Sequence, residues 1–109
     1  MLIFVYGSLK RGFHNHSIIS DGVFISEHTT APTFTLYDLG AYPAVTQGGA
    51  TSIKGELWEV ANLDRTDYLE GYPSYYNRIL IPTGSGAAWV YLLPEAPINK
   101  AEVVSGIWT

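Results

Sequence analysis

The chain has 109 residues, 47% hydrophobic and 15% charged, which predicts one globular domain with a modest core and excludes a disordered chain. Six Lys and Arg against ten Asp and Glu leave a net charge of −4, a balance that argues against a nucleic-acid partner. Without cysteine there is neither a disulfide framework nor a thiolate nucleophile, and no stretch reaches membrane-spanning length, so the chain reads as cytoplasmic with no membrane partner.

Leu2 to Tyr6 is apolar and β-favouring and predicts a buried first strand that ends at Gly7. Ser8 to Gly12 reads as a loop, and Asn15 as the cap of a short helix over 16–19. Strands are expected over Val23–Glu27 and Phe34–Tyr37. Asp38 to Pro43 carries turn chemistry, followed by a short strand at Ala44–Thr46. Ser52 to Val60, "SIKGELWEV", reads as a central strand. Asn62 to Glu70 is the strongest helical stretch, with Asn62 as cap, Asp64 in the first turn, Gly71 at the stop and Pro73 beyond it. Leu63 and Tyr68 are expected to face the core. Arg78–Pro82 and Ala87–Leu93 predict a hairpin around Thr83–Gly86. Six or seven short strands with one clear helix predict a small, partly closed β-barrel with helices packed outside.

Chemistry-bearing residues are few. Glu70 ends a helix, where the dipole penalises an anion, and Tyr68, Tyr72, Tyr75 and Tyr76 surround it in sequence. Both effects raise a carboxyl pKa, as a general acid–base near neutral pH requires. The alternative is a solvated Glu beside a capping glycine. "FVYGSLKRG" (Phe4–Gly12) ends a strand in a Gly-Ser turn whose consecutive amides can form an anion-binding nest; it lacks the spacing of a P-loop, and a plain turn is the competing reading. His14 and His16 lack the third and fourth ligands a metal site needs, so surface or capping histidines are expected rather than a metal-dependent nuclease. Ser8 with a histidine and an aspartate has the elements of a triad, yet no Gly-x-Ser-x-Gly elbow exists.

Taken together, "FVYGSLKRG" followed by Asn15-His16, and Asp67-Tyr68-Leu69-Glu70-Gly71-Tyr72-Pro73 followed by Tyr76 and Arg78, resemble the γ-glutamyl cyclotransferase-like family. The nearest branch is the γ-glutamylamine cyclotransferase, or AIG2-like, group. Tyr42-Pro43-Ala44, Gly55-Glu56-Leu57-Trp58 and Gly106-Ile107-Trp108 fall in the same order. Thr66 departs from the pattern, standing where a Leu usually precedes the Asp.

The resemblance implies an α+β fold: a small mixed β-barrel of the cyclotransferase type with peripheral helices and a cavity at one end. It implies that Glu70 is the catalytic acid–base and that the backbone around Tyr6, Gly7, Ser8 and Leu9 holds a γ-glutamyl group. Tyr76 and Tyr91 would line the cavity with Tyr6, or else serve as core. The partner implied is a small γ-glutamyl substrate, with no metal and no cofactor, in a monomer or weak homodimer. Asp38–Tyr42 and Tyr72–Asn77 are the loops expected to read the leaving amine. Lys10 and Arg11 are expected at the rim. The alternative on the same fold is a non-catalytic pocket protein that binds a small anionic metabolite.

Overall fold

The computed structural model describes residues 1–109. In chain order the elements are β1 (Leu2–Val5), β2 (Val23–Thr29), β3 (Phe34–Asp38), β4 (Pro43–Gln47), β5 (Lys54–Glu59), α1 (Asp64–Glu70), β6 (Asn77–Ile81), β7 (Ala88–Leu92) and β8 (Ala101–Glu102), with a 3₁₀ turn at His16–Ile18. The fold is α+β, as expected, but the strands do not close into a barrel. They form a five-stranded sheet in the order β2-β5-β1-β7-β6 and a three-stranded sheet in the order β4-β3-β8. The sheets lean together where Leu93 N–H donates to the Val45 carbonyl at 2.9 Å. Of the peripheral helices, only α1 and the single 3₁₀ turn form.

β1 lies at the centre of the larger sheet, antiparallel to β5 and parallel to β7. Its period-2 alternation feeds two cores. Phe4 enters the layer between the sheets with Leu36, Val45, Leu57 and Trp108, joined by Tyr6 just past the strand end. Ile3 and Val5 pack on the opposite face with Ile19, Trp58, Leu63 and Tyr91, beneath α1. A strand buried on both faces reads as an unbroken apolar run, as Leu2–Tyr6 does.

Several boundaries move for local reasons. β2 runs on to Thr29 because β5 continues to pair with it as far as Lys54. β4 starts at Pro43 rather than Ala44, at the strand's first position, where a missing N–H is tolerated. β5 stops short of Ser52 and Ile53, whose chain instead turns toward Thr30; there the Ile53 N–H donates to the Thr30 hydroxyl at 2.9 Å. β8 was not expected; it is two residues long and carries almost no pattern.

α1 begins at Asp64, two residues later than expected. Leu63 occupies the cap position, and the Asn62 side chain accepts from the Asp64 N–H at 3.0 Å just ahead of it. Tyr68 is 91% exposed and does not face the core; the buried positions are Leu63 and Thr66. The helical period explains the correction. Five residues turn Tyr68 well away from Leu63, whereas spacings of three and seven place Thr66 and Glu70 on Leu63's face.

Candidate active site

A cavity of about 310 Å³ opens where the end of β1, the start of β4 and the end of α1 converge. Tyr6, Gly7, Ser8, Leu9, Glu70, Tyr76 and Tyr91, all singled out from the sequence, line it together. Tyr42 and Tyr75 also line it, as do Pro43, Leu69 and Asn15, which had no assigned role there. The signal for Tyr42 and Tyr75 was their place in the two loops expected to face the leaving group; that for Asn15 was its place in the opening motif, where it was expected to cap a helix.

Glu70 owes its position to the way α1 ends. Gly71 adopts a left-handed φ of 65°. Its N–H bonds to the Tyr68 carbonyl and the Tyr72 N–H to the Asp67 carbonyl, the paired bonds of a Schellman stop. The chain then doubles back, and the Tyr76 N–H reaches the Glu70 carbonyl at 3.3 Å. Burial lifts the Glu70 carboxyl pKa from 4.5 to about 7. No side chain forms an ion pair with it, so nothing offsets the desolvation.

Opposite lies the turn after β1. Gly7, Ser8 and Leu9 are buried, yet their N–H groups meet no acceptor within the chain. A buried amide left unpaired costs about 1–3 kcal/mol, so three in succession call for an acceptor from outside the chain, whether water or a bound group. The turn itself is held from behind. Lys10 N–H donates to the Gly7 carbonyl at 3.1 Å, Asn15 N–H to the Ser8 carbonyl at 3.0 Å, and the Asn15 side chain to the Ser8 hydroxyl at 3.0 Å. Asn15 therefore does not cap the 3₁₀ turn with its side chain. His16 Nδ1 pairs with the Leu9 carbonyl at 2.8 Å, and its ring lies 4.9 Å from that of Trp58. The histidine is scaffolding for the turn.

Gly7 is needed for space. A Cβ there would lie 2.5 Å from the ring carbons of Pro43, so the small residue admits β4 rather than a ligand. The cations Lys10 and Arg11 are not at the cavity rim. Lys10 is buried and donates to the Trp108 carbonyl at 2.8 Å, while Arg11 pairs with Glu56 at 3.1 Å and covers the Phe24 ring.

The three tyrosines present ring surface while their hydroxyls are committed elsewhere. Tyr6 donates to the Tyr91 carbonyl at 2.7 Å, Tyr76 to the Pro43 carbonyl at 2.6 Å, and Tyr91 to Asp67 at 2.6 Å. Burial raises all three phenol pKa values, and the charge of Glu70 adds to the rise at Tyr6 and Tyr76. They remain neutral donors at any working pH. Thr66, the departure in the helix pattern, bridges the Leu63 carbonyl and the Tyr91 hydroxyl at 3.1 and 2.8 Å. No group of three His, Asp or Glu side chains is arranged to hold a metal ion, and no helix is long and apolar enough to cross a membrane.

Residues 3–109 match the family described as gamma-glutamyl cyclotransferase, AIG2-like. A Vibrio cholerae protein named "Putative gamma-glutamylcyclotransferase" is 38% identical over 109 residues, covering 98% of this chain and 94% of its own. The solution structure of ytfP from Escherichia coli superposes with a TM-score of 0.79 at 32% identity, over 99% of this chain and 96% of that one. The crystal structure of an AIG2-like protein from mouse gives a TM-score of 0.76 at 29% identity, over 88% and 79% of the two chains.

Proposed function

The chain belongs to the γ-glutamyl cyclotransferase, AIG2-like, family, and from that premise we propose that it releases 5-oxoproline from a γ-glutamyl amine or amide, with Glu70 as general acid–base. The observation that carries this reading is the pairing, within one cavity, of a lone carboxyl with a pKa of about 7 and three consecutive unpaired amides.

The reaction needs little else. Glu70, ionised, takes a proton from the substrate's α-ammonium. The freed α-amine attacks the γ-carbonyl carbon, forming the ring C–N bond. The bond to the leaving nitrogen then breaks as that nitrogen receives the proton from Glu70, and the second proton still held by the ring nitrogen passes through the regenerated carboxylate to the departing amine, which leaves as an ammonium. The products are 5-oxoproline and a free amine, and the carboxylate is regenerated. A pKa near 7 suits both transfers, each contributing roughly 10²–10⁴-fold. The amides of Gly7, Ser8 and Leu9 supply donors for the α-carboxylate and the developing oxyanion, an arrangement that costs no reorganisation during reaction. Holding the flexible glutamyl chain in a ring-forming pose adds as much as about 7–11 kcal/mol. The ring faces of Tyr6, Tyr76 and Tyr91 shape the wall that enforces this pose.

Incubation with γ-glutamyl amines, γ-glutamyl amino acids and glutathione, followed by detection of 5-oxoproline, tests the reading. Turnover is expected with at least one of them, falling at least a hundredfold in Glu70→Gln while the far-ultraviolet spectrum is retained. Absence of 5-oxoproline from all of them, together with tight binding of an anionic metabolite, would favour a non-catalytic pocket instead.

A further inference from the structure

The turn that carries the unpaired amides is braced so that its polarity runs one way. The carbonyls of Gly7, Ser8 and Leu9 are all engaged, accepting from the Lys10 N–H at 3.1 Å, the Asn15 N–H at 3.0 Å and His16 Nδ1 at 2.8 Å. One polar side chain of this turn, the buried Ser8, lines the cavity. Its Oγ accepts from Asn15 Nδ2 at 3.0 Å, and Asn15 lines the same cavity. A hydroxyl has one proton and two lone pairs. Asn15 holds a lone pair, and the Ser8 proton meets no acceptor within the chain, so it is left for the cavity.

We propose that Asn15 is a positioning residue that makes the Ser8 hydroxyl a dedicated donor to the α-carboxylate of the bound γ-glutamyl group. The inference rests on the cyclotransferase reading for the ligand, and on the hydrogen-bond geometry alone for the donor. A serine left to rotate could present either its proton or a lone pair to the cavity, and the lone pair would repel an anion. The Asn15 amide can only donate from Nδ2, so it takes a lone pair and leaves the proton for the ligand. An O–H donated to a carboxylate is charge-assisted, shorter and roughly twice as strong as a neutral bond. The two carboxylate oxygens offer about four lone-pair sites, and the hydroxyl joins the Gly7, Ser8 and Leu9 N–H groups as a fourth donor. These donors matter more because no Lys, Arg or His lines the cavity. The orientation is set before the ligand arrives, since the Asn15 backbone already holds the turn, and preorganised donors cost less to engage.

Ser8→Ala, Asn15→Ala and the double variant test the pair, each with its amide NMR spectrum compared with the parent's. Two quantities are measured: the Kd of L-5-oxoproline, which keeps the α-carboxylate, and kcat and KM for its formation from a γ-glutamyl amine. Ser8→Ala is expected to raise Kd and KM at least about tenfold, the scale of one hydrogen bond to a charged group. Asn15→Ala is expected to raise both about three- to tenfold, with kcat changed less than about threefold in either variant. The double variant is expected to bind within about twofold of Ser8→Ala, because Asn15 acts through the hydroxyl. Asn15→Asp keeps the shape of the side chain but can only accept, so it is expected to weaken binding more in the parent chain than in Ser8→Ala. Additive losses, a loss in kcat alone, an Asn15→Asp effect equal in both backgrounds, or binding unmoved by any variant would overturn the inference while leaving the cyclotransferase reading intact. No turnover, with 5-oxoproline still bound and the same non-additive losses, would overturn that reading and uphold the donor pair. Neither turnover nor binding would overturn both.

Discussion

Glu70 pairs its proposed role in ring closure with a cost to the fold. Its carboxyl is ionised only above a pH of about 7, because burial opposes the charge and no partner offsets it. As the base that starts the proposed ring closure, it must be ionised. The acid limb of the kcat/KM profile is therefore expected near pH 7, with activity rising through it, and carbon NMR of the labelled Glu70 carboxyl should titrate at the same value. A titration near 4.5 would contradict the assignment. The same shift acts on stability with a defined sign. Folding raises this pKa, so the stability it contributes is complete below pH 4.5 and is lost as the pH climbs to about 7. Glu70→Gln is expected to melt above the parent chain at pH 8, by on the order of 1–2 kcal/mol once the open cavity's screening is allowed for, and to match it at pH 4. A residue that costs stability in its working state is a common mark of an active site.

At the scale of elements, α1 is tied to the sheet that carries the rest of the site. Asp67 accepts from Tyr91 on β7 at 2.6 Å and from Arg78 on β6 at 3.0 Å. The Arg78 guanidinium lies between the Tyr72 and Trp89 rings, 4.2 and 4.4 Å from their centroids. Asp67 and Glu70 are three residues apart, so one face of a seven-residue helix carries both the anchor and the acid. Asp67→Asn would turn one acceptor into a donor facing Arg78. Urea unfolding is expected to show a loss of about 2–3 kcal/mol, and 5-oxoproline formation should fall even where the protein is fully folded, because the helix end shifts. The motif from Asp67 to Arg78 was legible in the sequence as a spacing. That its Asp and Arg grip each other, while Tyr91 and Thr66 complete the network, was not, because those partners come from strands far along the chain.

Across the whole molecule, the last turn of chain closes the gap between the sheets. Trp108 is buried in the layer they share; its indole N–H donates to Asp38 at the end of β3, and its carbonyl accepts from Lys10 in the turn after β1. Phe13 packs against it at 5.5 Å. Trp108→Ala is expected to cost about 3–5 kcal/mol in chemical denaturation, through the lost area and the cavity left behind. Because the turn after β1 is held by the hydrogen-bonded amides of Lys10, Phe13 and Asn15, exchange at those three positions should accelerate in the variant more than at the distant β6–β7 hairpin tip. Equal acceleration at both would mean that Trp108 supports the fold as a whole and not this turn.

The sequence by itself determined the elements whose signals are local. The apolar run of β1, the Gly71 stop after α1, the hairpin about Thr83–Gly86 and the two family motifs all depend on neighbours within a few residues, and most of the strands and the seven cavity residues could be named from them. Side-chain direction and closure depended on distant partners. Tyr68 turns outward and Thr66 inward by helical phase against the sheet; Gly7 is small because Pro43 crosses it; Lys10 leaves the rim because Trp108 arrives from the other end of the chain. The strands form two sheets and no barrel because that depends on which edges meet, and edge pairing is a long-range choice with no local signature. Only the tertiary structure could bring the unpaired amides and Glu70 to one cavity, since some sixty residues of chain separate them and burial alone gives the carboxyl its raised pKa.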